Sequence, residues 1–207
     1  MPSYFSKTSR LGRVNTGSVA QRLADTPGVA RTILGAARAA RGMPGADPRA
    51  MSHSWLFTGP PGSGRSLAAI DFAAALMCTD PEEPGCGRCE ACRAVLETKQ
   101  HTDLVLVDPQ EVIIPVDTVR EVIGRAASLP TVAPWRVVIF NNADRLNNNG
   151  ANALLKTVEE PPARTVIIMC APSDAPEDFS QTLRSRCRHL YIPSPSVESI
   201  TAQLVSE

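Results

Sequence analysis

Five short apolar runs punctuate the chain, at 54–57, 104–107, 136–140, 165–169 and 189–192. Those at 136–140 and 165–169 show no apolar–polar alternation, which is how strands covered on both faces read. Helical spacing fills the gaps between them. Val29, Ile33, Leu34, Ala37 and Ala40 share one face, with Thr26 placed as an N-cap, Pro27 at the first helical position and Gly42 as the stop. A Pro/Gly linker follows at 42–50. An alanine-rich helix is expected at 66–77 and another at 90–98. Asp117 should cap a helix carrying Val119, Val122, Ile123 and Ala126. A helix at 146–160 ends at Pro161-Pro162, and a short one spans 179–183. The last helix begins near 196. Strands alternating with helices predict an α/β fold: a parallel five-stranded sheet with helices on both faces.

Composition adds exclusions. Among 207 residues, Lys and Arg number 21 and Asp and Glu 21, so net charge gives no global case for nucleic-acid binding. No apolar run approaches the roughly 20 residues that span a bilayer. The first 24 residues hold no Asp or Glu. A transit peptide and a loose tail share that composition; residues 1–25 are read as a disordered tail.

The first run leads into Gly59-Pro-Pro-Gly-Ser-Gly-Arg-Ser66. A strand, this glycine pattern and a helix form the context of a phosphate-binding P-loop. Gly59, Gly62 and Gly64 allow amides to turn toward phosphate oxygens, and the helix N-terminus adds positive charge. Arg65 stands where the motif has lysine, and its planar fork does not fill the same space. Ser66 keeps a hydroxyl for Mg²⁺. Whether the loop takes ATP, ADP or neither stays open, as does the plainer reading of a Gly/Pro turn.

P-loop machines end a second buried strand in Asp-Glu, for the metal and the attacking water. Here the strand at 136–140 ends in Asn141-Asn142, two amides that neither hold a cation by charge nor act as bases. Each of the replacements at Arg65 and Asn141/Asn142 is expected to cost orders of magnitude in hydrolysis.

Cys78, Cys86, Cys89 and Cys92 offer four thiolates within a turn-rich insertion at 78–92. The spacing reads as a closed structural Zn²⁺ site with no open position for catalysis. Two disulfides or an iron–sulfur cluster are the alternatives. Ser185-Arg186-Cys187 alone is weak: an arginine between two elements, or one that reaches a neighbour's nucleotide in trans.

Taken in order, these motifs resemble one family. The P-loop, the cysteine set, His101-x-Asp103, Val116-Asp117-x-Val119-Arg120-Glu121, Asn152-Ala-Leu-Leu-Lys156-x-x-Glu159-Glu-Pro-Pro162 and Ser185-Arg186-Cys187 look like the AAA+ clamp-loader subunits of bacterial DNA polymerase III. Arg65 and Asn141/Asn142 favour the delta-prime branch over the ATP-hydrolysing gamma/tau branch. The resemblance covers about 26–207. It implies an AAA+ P-loop domain at 26–193 with the zinc module inside it, and the start of a truncated helical lid at 194–207, the lid and collar being largely absent. It further implies a non-catalytic subunit supporting sliding-clamp loading in DNA replication, with Arg186 as an arginine finger for a neighbouring ATPase. Partners would be gamma/tau and delta, with the beta sliding clamp and primed DNA met through the complex. The setting would be the cytoplasmic, nucleoid-associated replisome, with no membrane. Two departures stand out. Asp25-Thr26-Pro27 replaces the usual Gly-Gln element, and Met169-Cys170-Ala171 replaces a polar residue at a strand end. An active gamma/tau-like ATPase and a zinc-stabilised interaction module are the other readings. No strand carries the clustered carboxylates of a two-metal polymerase or exonuclease site, so any polymerase activity would belong to the holoenzyme.

Overall fold

A computed structural model describes residues 17–195. The helices are α1 (Val19–Arg22), α2 (Pro27–Ala40), α3 (Arg65–Met77), α4 (Glu90–Arg93), α5 (Val116–Ala126), α6 (Asn148–Glu159) and α7 (Gln181–Arg184). The strands are β1 (Ser54–Thr58), β2 (Leu104–Val107), β3 (Arg136–Phe140), β4 (Thr165–Ala171) and β5 (Arg188–Tyr191). They form one five-stranded sheet in the order β2-β3-β4-β1-β5, and every pairing is parallel.

The period-two geometry of strands divides the core. Trp55 and Phe57 of β1, Val137 and Ile139 of β3, and Val166 and Ile168 of β4 face α2 and α3. Leu56, Val138, Phe140, Ile167 and Met169 face α5, α6 and α7. Both faces are covered, which is why these runs lack alternation. Helix α3 is buried from Ala68 to Met77, so it reads as almost wholly apolar.

Several local expectations need correction. The tail read at 1–25 contains α1: Ser18 Oγ accepts from the Gln21 amide while the Gln21 side chain accepts from the Ser18 amide. That capping box starts a helix too short for its periodicity to register. Residues 1–16 lie outside the described part. Thr26 sits at the N-cap of α2 but makes no side-chain capping bond; its hydroxyl instead donates to the Leu23 carbonyl. Asp117 is in the first turn of α5, not at its cap, because Pro115 holds that position. The expected helix at 90–98 is α4 followed by a π-helical turn, Ala94–Thr98. The helix expected near 196 lies outside the described residues.

The strand ends that matter lie on one edge. β1 runs into the glycine loop, β3 into Asn141, β4 into Pro172 and β5 into Ile192. This carboxyl edge of a parallel sheet is where ligands bind in open α/β folds.

Candidate nucleotide loop, cysteine cage and exposed arginine

The glycine loop is tightly seated. The Gly59 amide donates to the Pro172 carbonyl at 3.2 Å, and the Ile192 amide donates to the Thr58 carbonyl at 2.7 Å. A Cβ on Gly59 would lie 2.4 Å from the Ile192 carbonyl oxygen and 2.5 Å from Ser63 Oγ, so only glycine fits. Gly62 and Gly64 have φ of 84° and 81°. Gly64 is the N-cap of α3 and supplies no capping side chain, so the first amides of that helix keep their capacity for an anion.

Arg65 acts against that capacity. Its Nη1 donates to the Gly59 carbonyl at 2.8 Å and to the Pro60 carbonyl at 3.2 Å. The guanidinium is turned back onto its own loop, bracing the backbone that would enclose a phosphate. Its Nε is buried without a partner. Cys170 lies behind, and burial pushes its thiol up to about 12. Ser66 is half-buried at the second position of α3.

At the end of β3, the Asn141 amide donates to the Val107 carbonyl at 2.8 Å, continuing the ladder. Its side-chain Nδ2 donates to Asp108 at 3.5 Å, and its Oδ1 is buried without a partner. Asn142 has φ of 51°, a left-handed conformation that asparagine adopts more readily than most residues. Asp144 is exposed, one residue into the 3₁₀ turn Ala143–Arg145. Asn141 and Asn142 offer no charged oxygen at the end of β3, and the carboxylate met there is Asp108, which follows β2 and accepts from Asn141.

The four cysteines converge. The sulfurs of Cys78, Cys86, Cys89 and Cys92 all lie within 4.8 Å of one another, and Cys78 and Cys89 are 3.9 Å apart. Four sulfurs on a tetrahedral zinc would be spaced by about 3.8 Å, from a Zn–S length of about 2.3 Å. None is in a disulfide. Backbone amides support the sulfurs: Asp80 N–H donates to Cys78, Cys89 N–H to Cys86 and Cys92 N–H to Cys89, each at 3.4 Å. Such bonds favour thiolate and orient it. Hydrogen bonding from Cys92, opposed by burial, holds the Cys78 thiol down to about 4. The same contact, with burial, raises Cys92. This donor set is fit to hold a metal ion.

The cage is joined to the rest of the fold by the segment taken for a tail. The Val19 amide donates to the Gly85 carbonyl at 2.8 Å. Arg22 pairs with the buried Asp71 of α3, whose carboxyl is raised by burial despite the guanidinium. Arg41 donates to the Asp80 carbonyl.

Arg186 lies apart from both, just after α7. Its Nε donates to Glu159 Oε1 at 2.5 Å, and its Nη1 donates to the Thr182 carbonyl at 2.9 Å and to Ser185 Oγ at 3.1 Å. It remains exposed. Two acidic residues gained their meaning only from the structure. Glu159, at the end of α6, meets Arg186 across 27 residues of sequence. Asp103 is wholly buried and accepts from the amides of Thr131, Val132 and Ala133 and from Arg136.

This arrangement matches known proteins. The family described as DNA polymerase III, delta subunit, matches residues 46–196. The chain belongs to that family. It is 36% identical over 147 residues to a DNA polymerase III subunit delta' of Pseudomonas aeruginosa, covering 70% of this chain and 44% of that protein. It is 32% identical over 166 residues to a gamma/tau subunit of Mycobacterium tuberculosis, covering 78% of this chain and 28% of that one. A DNA polymerase III gamma subunit-related protein of Thermotoga maritima shares the fold with a TM-score of 0.51 at 21% identity, covering 74% of this chain and 44% of that chain. The chain thus spans less than half the length of these relatives. The α/β fold expected from the sequence, a parallel five-stranded sheet with helices on both faces, is the fold observed, and among the described residues no helix is long and apolar enough to cross a membrane.

Proposed function

We propose that this chain works as a delta-prime-type subunit of the DNA polymerase III clamp loader. It supports sliding-clamp loading without hydrolysing ATP itself, and presents Arg186 to the nucleotide of a neighbouring ATPase subunit. The observation that carries this reading is Arg65, whose guanidinium is bonded to the carbonyls of Gly59 and Pro60. The lysine it replaces would extend toward β- and γ-phosphates as a compact charge. The strand end at Asn141 and Asn142 supports the same reading, since neither amide can hold Mg²⁺ by charge or activate water.

Arg186 suits the in-trans role by its exposure and its attachment to rigid elements. An arginine reaching transferring phosphate neutralises charge that develops in the transition state. The cage suits structural zinc, held by Cys78, Cys86, Cys89 and Cys92. Bound there, zinc would fix the Gly/Pro-rich insertion against α1 and α3 and take no part in turnover. Gamma/tau and delta would be the direct partners, with the sliding clamp and primed DNA reached through the assembly, in the cytoplasm at the replisome.

The 32% identity to a gamma/tau subunit favours a second reading, an ATPase motor. One experiment separates them. Purified gamma/tau and delta are combined with the full-length chain, either wild type or Arg186→Ala, and ATP turnover is measured with clamp and primed DNA. Stimulation lost with Arg186→Ala, and no turnover by the chain alone, is the expected result. Turnover by the chain alone would favour the motor reading. Failure of both forms to join the complex would favour an interaction module unrelated to clamp loading.

A further inference from the structure

We propose that Glu159 is a positioning residue for Arg186, and that with Thr182 and Ser185 it holds the guanidinium so that Nη2 meets a neighbour's phosphate. This rests on the in-trans reading of Arg186 given above. A guanidinium carries five N–H donors in a rigid plane. Two of its three nitrogens are used at home: Nε on Glu159 Oε1 at 2.5 Å, and Nη1 on the Thr182 carbonyl at 2.9 Å and Ser185 Oγ at 3.1 Å. The Ser185 hydroxyl donates its own hydrogen to the Thr182 carbonyl at 3.0 Å, so its lone pairs face the arginine. Among the described residues Nη2 has no partner. The plane is therefore fixed through Nε and Nη1, and the donors left over are the two of Nη2.

The anchors of this arrangement are firm. Leu183 is fully buried and Cys187 packs against the same core cluster, so the tripeptide is pinned on either side of the arginine. Burial pushes the Cys187 thiol up to about 12, which suits a packing role. Glu159 is the last residue of α6, and Pro161-Pro162 prevents that helix from continuing. A carboxylate is unfavourable at a helix C-terminus, where the carbonyl ends already carry partial negative charge. The pair is also half open to water, with side-chain exposures of 36% and 46%, so it adds little to stability. What the contact does supply is direction. It also places a negative charge beside Nε, which repels an anion arriving there and leaves the end of Nη2 away from Glu159 as the approach.

The test is steady-state ATP turnover by gamma/tau, delta and the full-length chain with clamp and primed DNA, comparing Arg186→Ala, Glu159→Ala, Glu159→Gln and Ser185→Ala. Misorientation removes stabilisation that exists only in the transition state, so Glu159→Ala should lower kcat at least about fivefold with KM changed less than about twofold. Glu159→Gln keeps an acceptor oxygen and should retain roughly half of wild-type kcat or more. Ser185→Ala should fall between them. Glu159→Ala turning over as fast as wild type, beside an inactive Arg186→Ala, overturns the positioning role and leaves the in-trans role standing. Arg186→Ala indistinguishable from wild type overturns the in-trans role itself. Entry into the complex is read by size exclusion. If Glu159→Ala does not enter, a Glu159→Gln complex as slow as Arg186→Ala overturns the proposal.

Discussion

Asp103 offers the sharpest test of how this fold is held together. It sits at the entrance to β2 with no exposed surface and accepts five hydrogen bonds. Three come from consecutive amides, Thr131 at 2.8 Å, Val132 at 2.8 Å and Ala133 at 2.9 Å, which fold the loop before β3 around the carboxylate. The Thr131 hydroxyl and Arg136 Nη2 supply the others, at 3.2 and 2.9 Å. Burial pushes the carboxyl up, but these donors outweigh it and hold it well below the usual carboxylate range. Asp103→Ala leaves Arg136 buried without its counter-charge and the buried Ala133 amide without an acceptor. Thr131 and Val132 are exposed and can turn to water. Arg136 keeps the carbonyls of Arg125 and Ser128, which limits the damage. Breaking a buried pair costs about 3–5 kcal/mol. In a domain of this size that corresponds to a fall of roughly 10 °C in the melting midpoint. Asp103→Asn preserves shape but points an amide at donors, so a loss of about 2 kcal/mol or more is expected. Urea unfolding of the metal-loaded chain measures both. The pH dependence has a fixed sign. A carboxyl depressed in the folded state contributes stability above its unfolded pKa, about 3.9, and that contribution disappears as pH falls toward the lower folded value. A loss under about 1 kcal/mol in Asp103→Asn, or a wild-type advantage that does not shrink on acidification below about pH 4, would refute this account.

Three further outcomes follow from the same geometry. Chelation, or Cys92→Ser, should remove one bound zinc per chain by elemental analysis and lower the melting midpoint, since metal binding is coupled to folding of such insertions. Gly85→Ala should cost more than about 1 kcal/mol by urea unfolding: its φ is +76°, and the new Cβ would lie 2.5 Å from Val19 Cγ2, so α1 must give way. Arg65→Lys should free the carbonyls of Gly59 and Pro60 and raise affinity for a fluorescent ATP analogue, yet turnover by the chain should stay at background because Asn141 and Asn142 are unchanged.

Much of the fold was legible because its signals are local. A strand covered on both faces is a run of apolar residues, and β3 is as expected from Arg136 to Phe140. The cysteine set was legible because ligand spacing is itself a local property. What escaped notice depends on contacts distant in sequence. α1 has four residues and a single buried side chain, and is held by Gly85 and Asp71, 66 and 49 residues away. Nothing near Val19 in the sequence announces that. Glu159 looked like part of a helix end, and its meeting with Arg186 depends on α6 and α7 being packed together. The clue available was a carboxylate at the wrong end of a helix.

The glycine loop shows why a motif can be read correctly and still mislead about chemistry. Gly59 is required here by the carbonyl of Ile192 and the hydroxyl of Ser63, groups of this chain and not of a ligand. The Gly59 amide is committed to Pro172. Asn142 likewise suits a left-handed backbone position, whatever else its site once held. A loop with these constraints keeps Gly59 through packing and Gly62 and Gly64 through their positive φ, even when its basic residue is turned inward to the carbonyls. Persistence of the pattern therefore carries information about the seat of the loop between β1, β4 and β5. The information about nucleotide lies in the direction of one side chain, Arg65, and in the missing charge at the end of β3. In the proposed function the glycine loop is a support for the sheet edge, and the chemistry that this chain offers to a neighbour rests on Nη2 of Arg186.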